Sequence, residues 1–167
     1  AWKARHPHSA ALDDAFAQVR GVLEKPDLRT AFARPGEHAD VTYNLKRCIH
    51  AEQCIKRLPG VFDPQKRPWI QPADASADAL VEMVAHCPSG ALHVIRKDDG
   101  APEPVPATNR VRVRPNSALE ISGDIRLTGS TVDVTGETRA TLCRCGASKN
   151  KPFCDNSHKD IQFQASP

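Results

Sequence analysis

Aromatic residues are scarce in this 167-residue chain: they make up 5% of it, with a single Tyr and a single Met. Cores without many large rings bury little apolar area per residue, which argues against one large hydrophobic body. No run of about 18 apolar residues occurs, so a membrane-spanning helix is not expected. The opening text AWKARHPHSAALDDAFAQVR holds no apolar stretch of signal-peptide length, and Asp13 and Asp14 interrupt its best candidate. That predicts a cytoplasmic protein, in which a disulfide framework is disfavoured. An excess of one charge is also missing: 23 Lys+Arg face 20 Asp+Glu, a net +3. With no long basic block, nucleic acid is not an expected partner, and neither is a membrane. No Ser-His-Asp grouping, phosphate-cradling glycine loop, dinucleotide fingerprint or carboxylate dyad stands out, so a non-enzymatic role is expected. The chain opens on Ala1 and not on an initiator methionine, which fits a trimmed start or an excised fragment equally well.

What the chain does have is 14 Pro, 9 Gly and 6 Cys. This is a loop-rich composition with small cores, and small cores usually need a staple such as a metal. Residues 1–39 carry one helical signature, Leu12, Phe16, Val19 and Leu23, stopped by Pro26. It reads as a short helix packed on a neighbour. Residues 40–97 change character: YNLKRCIHAEQC, a turn at Pro59-Gly60, then RPWI. Asp74 or Ser76 can cap a helix with Leu80, Val81, Val84 and Ala85 on one face, running into Cys87-Pro88 and a strand ALHVI. Residues 98–107, DDGAPEPVPA, read as a stiff linker and a domain boundary. Residues 108–167 are β-patterned, VRVR then LEIS, DIRLTG and TVDVTG, with Gly123, Gly129 and Gly136 as turn punctuation. The expected fold class is α+β, with two small domains in series.

Cys143, Cys145, Cys154 and His158 spell C-x-C-x8-C-x3-H. Alternation along an extended segment points Cys143 and Cys145 in related directions, and His158 lies one helical turn beyond Cys154. Three thiolates and an imidazole complete a four-ligand metal site, and spacing alone leaves a structural zinc open. The residues between the ligands resemble the CDGSH iron–sulfur family, whose pattern also places Ser148, Pro152, Asp155 and Ser157 in register. The resemblance covers about the last 60 residues. It implies a [2Fe-2S] cluster with Cys143 and Cys145 on one iron, and Cys154 and His158 on the other. Where the family has Gly, this chain has Asn156, the commonest substitute for Gly at positive φ. Arg139, Arg144, Lys149, Lys151 and Lys159 outnumber Asp155 around the motif, which suits a net-negative cluster; an ordinary solvated face is the plainer reading of them. Asp155 and Ser157 are expected to act as supporting and capping groups.

Cys48 and Cys54 form C-x5-C, with a distant Cys87-Pro88. Bacterial ferredoxin text runs C-x2-C-x2-C-x3-C-P, and deleting its second Cys leaves C-x5-C, with Ala51 in the vacated slot. Buried free cysteines, or a zinc site recruiting His50, are the other readings. KRCIHAEQC, LPGVFD, RPWI and CPSGAL resemble landmarks of the divergent single-cluster ferredoxin family over residues 41–95. The resemblance implies a ferredoxin-like domain holding a [3Fe-4S] cluster on Cys48, Cys54 and Cys87, or a [4Fe-4S] cluster with a further ligand. His50 beside the vacant slot is the natural candidate for that ligand, and a non-ligating histidine next to the cluster is the reading preferred. His86 and His93 read as plain structural residues, and His6 and His8 as part of a disordered start. The basic pairs Lys46-Arg47, Lys56-Arg57 and Lys66-Arg67 hint at an acidic redox partner.

The expected function is electron transfer by a two-cluster protein working with a redox partner protein. A cluster-transfer or sensing role, with an apo-acceptor as partner, is the alternative, because His158 is the one readily protonated ligand. A structural zinc module is the weaker alternative. CDGSH proteins with a single motif are commonly homodimers, which makes a homodimer a further expectation.

Overall fold

The computed structural model describes residues 31–129 and 132–165. The helical signature at Leu12–Leu23, together with His6 and His8, lies outside them. No helix among the described residues is long and apolar enough to cross a membrane. Among the described residues the fold is α+β, built on two three-stranded antiparallel sheets.

The first sheet runs β1 (Ala31–Arg34), β2 (Ala39–Asn44), β3 (Leu92–Arg96), with β2 in the middle and Val41 opposite Val94. Between β2 and β3 lie a short helix α1 (Gln53–Arg57) and a longer one, α2 (Ala77–Ala85). Ser76 caps α2, its Oγ accepting from Ala79 N at 3.3 Å, so of the two capping candidates the chain uses the serine. The inward face of α2 is Ala77, Leu80, Met83 and Val84. Met83 stands where Ala85 was expected, because at 3.6 residues per turn Met83 lies beside Leu80 and Val84 while Ala85 falls well off that face. These residues close on Val41, Phe62, Ile70 and Leu92 in the larger core.

The second sheet runs β4 (Arg110–Val113), β5 (Leu119–Thr128), β6 (Asp133–Leu142). Its own core is small, with Ile125, Val134, Ala140 and Phe153 buried together. Gly129 sits at the β5–β6 turn, donating to Val132 O at 2.7 Å. Gly123 and Gly136, in contrast, lie inside β5 and β6, where the register slips between Ser122 and Ile125. Gly123 has φ +139°, and a Cβ there would collide with Asn109, so it serves a bulge and a close approach and not a turn.

Period-two alternation fails in β6: Glu137, Thr138, Arg139, Ala140 and Thr141 are all buried. A strand buried on successive residues is covered on both faces. One face of β6 meets its own core, while the other meets the first sheet on the side carrying Thr42 and His93. The two modules are thus stacked. Glu103, in the proline-rich stretch between them, is drawn in to accept from Val94 N at 2.7 Å and from Arg139 at 2.8 Å.

Candidate metal centres

Asn44 starts the construction of the first centre. Its buried side chain accepts from Lys46 N at 3.0 Å and Arg47 N at 3.3 Å, capping a 3-10 turn that delivers Cys48. Beyond it, His50 and Glu52 take left-handed φ of 54° and 59°, bending the chain back so that α1 presents Cys54. Cys87 leaves the end of α2, its N–H held by Val84 O at 2.9 Å. The three cysteines line one cavity of about 220 Å3, whose further walls include His50, Tyr43 and Trp69. The two rings meet edge to face at 5.0 Å and close one side of it.

The donor set suits a positively charged occupant. Burial pushes the Cys54 thiol up to about 11, and the neighbouring Cys87 and Cys48 add to the shift. Burial and a hydrogen bond to Cys48 also raise the Tyr43 phenol, which therefore stays protonated near the sulfurs. Three thiolates in one apolar cavity repel one another unless metal charge compensates them. Among the described residues no group of His, Cys, Asp and Glu is arranged to hold a single metal ion.

The second centre forms where the chain after β6 meets its own return. Cys143 N donates to Pro152 O at 2.8 Å and Cys154 N to Thr141 O at 2.9 Å, pinning the two ligand segments side by side. Cys143 Sγ and Cys145 Sγ are 3.8 Å apart, and Cys154 Sγ lies 3.6 Å from His158 Nδ1. A tetrahedral ion with metal–sulfur bonds of about 2.3 Å and a metal–nitrogen bond of about 2.0–2.1 Å sets ligands about 3.8 Å (S···S) and about 3.6 Å (S···N) apart. Each of these two contacts therefore has the spacing of two ligands on one ion.

The support around this centre is local. Asp155 accepts from Ser157 N at 3.0 Å, Ser157 Oγ at 2.7 Å and Lys149 N at 2.8 Å. Burial works to raise its carboxyl, but these bonds outweigh it and hold the group at about 2. Burial would likewise raise Cys143, yet the Ser148 and Gly146 amides, Cys145 and Lys151 together lower it. Cys154 is raised by burial. His158 is lowered, by burial first and Lys159 second, favouring the neutral imidazole that binds metal. Its Nε2 meets Ser117 Oγ at 3.0 Å, which leaves Nδ1 for the site. Asn156 has φ 72°, the left-handed conformation that the glycine of the pattern would supply.

Some residues do more than their sequence context suggested. Arg47 is buried and pairs with Glu137 at 3.0 Å, so it is no surface member of a basic pair. Arg139 donates to Leu92 O and Glu103 and points to the first module, away from the Cys143 loop. His93 sits between Glu103 at 3.2 Å and Glu137 at 3.3 Å, and the two carboxylates overcome its burial to raise it to about 9. Gly90 has φ +63°, and a Cβ there would strike Arg139 O, so the glycine of CPSGAL lets β6 close on the first module. Apart from the mixture of charge and burial-type spacing in TGETRAT, nothing in the sequence marked this seam. Tyr43, Ser117 and Asn156's side chain carried no signal at all.

Two ligand sets on two stacked modules define an iron–sulfur-binding protein. Residues 35–97 match the family described as divergent 4Fe-4S mono-cluster, and residues 116–159 match the iron-binding zinc finger of CDGSH type. The chain belongs to the divergent 4Fe-4S mono-cluster family and carries a CDGSH-type domain after it. It is similar to the uncharacterized protein YjdI of Escherichia coli K12 and to that of Escherichia coli O157:H7. Each is 35% identical over 57 residues, which is 34% of this chain and 75% of that protein.

Proposed function

We propose that the protein is a non-enzymatic electron carrier with two clusters. A [4Fe-4S] or [3Fe-4S] cluster would be held by Cys48, Cys54 and Cys87. A [2Fe-2S] cluster would be held by Cys143 with Cys145 and by Cys154 with His158. Such clusters supply one-electron chemistry, and the chain supplies their ligands, their charge compensation and their distance from water. The observation that carries this reading is the pairing of donors at 3.8 Å and 3.6 Å beside a separate three-cysteine cavity.

His50 lines the first cavity with the cysteines, so a fourth ligand is at hand for a four-iron cluster. A second reading, delivery of the [2Fe-2S] cluster to an apo-acceptor, is favoured by the partial exposure of Cys143 and Cys145. Partners would be a redox protein with an acidic face, met by Lys56, Lys66 and Arg67, or a second copy of the chain. Free thiol ligands of this kind suit a reducing, cytoplasmic compartment.

Anaerobic purification with iron and sulfide counts and electron paramagnetic resonance tests the proposal. About five to six irons per chain are expected, two from one centre and three or four from the other. Two irons alone, with Cys48, Cys54 and Cys87 all open to alkylation in the folded protein, would refute the first centre. Transfer of the two-iron cluster to an apo-acceptor faster than electron exchange would favour the second reading.

A further inference from the structure

Three hydrogen bonds stitch the ligand loops of one module to those of the other. Thr141 Oγ1 donates to Pro88 O at 3.0 Å, next to Cys87. Asn150 Nδ2 donates to Lys46 O at 2.8 Å, ahead of Cys48. Asn156 Nδ2 donates to Ile49 O at 2.9 Å, and Ile49 is bonded directly to Cys48. The third differs from the others because Asn156 also holds a ligand sulfur: its backbone N–H points to Cys154 Sγ at 3.4 Å. One residue therefore spans from a sulfur of the second centre to the carbonyl of the residue that follows Cys48 in the first.

Local geometry makes this span possible. The left-handed φ of Asn156 turns its N–H back onto Cys154 while its side chain leaves toward the other module. Glycine, the residue of the resembled pattern, would keep the first contact and lack the second. The seam behind it is rigid, because Arg47 pairs with Glu137, donates to Arg139 O at 3.1 Å and lies 4.6 Å over the Phe153 ring.

We propose that Asn156 is the electronic bridge between the two centres, so that the protein works as a coupled pair and not as two independent carriers. This rests on the two-cluster reading above. Electron coupling decays steeply through space and much less through bonds, and hydrogen bonds rank between the two. The route Cys154 Sγ, Asn156 N–H, Asn156 side chain, Ile49 carbonyl and Cys48 consists of covalent bonds and two hydrogen bonds throughout. The step is one electron: an iron(II) of the reduced centre becomes iron(III), an iron(III) of the other becomes iron(II), and no bond or proton changes. A one-electron donor protein of low potential would fill the pair, and an acceptor protein would drain it.

The test uses the full chain with both centres loaded and compares wild type with Asn156→Gly and Asn150→Ala. Iron, sulfide and the separate paramagnetic signals are measured first, since a missing centre would overturn the two-cluster reading and the bridge with it. With both centres present, flash photoreduction is followed by the visible absorbance changes as the electron redistributes. Asn156→Gly should slow that redistribution several-fold, because it removes the hydrogen bond to Ile49 O on which the route depends. Asn150→Ala, which removes a stitch that touches no ligand sulfur, should leave the rate near that of wild type. Exchange as fast in Asn156→Gly as in wild type, or slowed equally by Asn150→Ala, would overturn the bridge while leaving the two-cluster reading standing. Magnetic broadening between the two signals in fully reduced wild type is the second measurement and needs no variant. Its absence would also overturn the bridge.

Discussion

Replacing Glu137 with Gln removes one charge from the seam between the modules while keeping the side chain's shape. Glu137 and Arg47 are 2% and 1% exposed and 3.0 Å apart, so neither has solvent to fall back on. In the variant Arg47 keeps Arg139 O and the Phe153 ring but loses its anion, and His93 loses one of its two carboxylates. Removing one partner of a buried pair costs about 3–5 kcal/mol, and the lower end applies because Gln still accepts a hydrogen bond. A loss of about 3 kcal/mol corresponds to roughly a hundredfold more frequent opening of the seam. Hydrogen exchange of the loaded protein at neutral pH reads this directly, and the amides of Arg139–Thr141 should exchange about a hundredfold faster. Arg47→Met in the same chain should restore much of the protection, since deleting both charges avoids the stranded cation. Exchange within about threefold of wild type in Glu137→Gln, or losses that simply add in the double variant, would show that the pair does not hold the modules together.

The same seam predicts a pH response. Carboxylate contacts raise His93 to about 9, above its ordinary 6.5, so the stability from its charge is complete below about 6.5 and is lost as pH rises through about 9. The difference in thermal midpoint between wild type and His93→Gln should shrink over that window, and a constant difference would refute the assignment. His158→Cys adds a negative charge to the second centre, so its potential should fall and mild acid should bleach it more slowly; an unchanged potential and equal bleaching would remove His158 from the ligand set. His50→Ala should leave a three-iron signal intact if the imidazole only lines the cavity. Loss of a reducible four-iron signal on that change alone would make His50 a ligand.

The second centre was legible because its donors are local. Cys143 and Cys145 alternate on one extended segment, and Cys154 and His158 lie one helical turn apart, so short-range geometry alone brings them into pairs at 3.8 Å and 3.6 Å. The left-handed turn at Asn156 could be anticipated for the same reason, since φ is a property of one residue and its neighbours. The first centre was legible only in part. Cys48 and Cys54 announce themselves by spacing, but bringing Cys87 to the same cavity requires α2 to pack on β2 and β3. The face of α2 was read in part: Leu80 and Val84 are buried and Val81 is half-buried, but Ala77 and Met83 complete the face and Ala85 is exposed.

By itself, then, the sequence determined the candidate donors of the second centre, Cys48 and Cys54 of the first, the α+β class and the order of the modules, because these follow from local spacing, strand alternation and capping chemistry. Tertiary structure alone decided how the modules meet. It buried Arg47 and Arg139, which composition places on a solvated surface. It set His93 between Glu103 and the distant Glu137, and it aimed the side chain of Asn156 at Ile49. A charge or an amide looks the same in sequence whether it faces water or a distant partner, and only the folded chain supplies the partner.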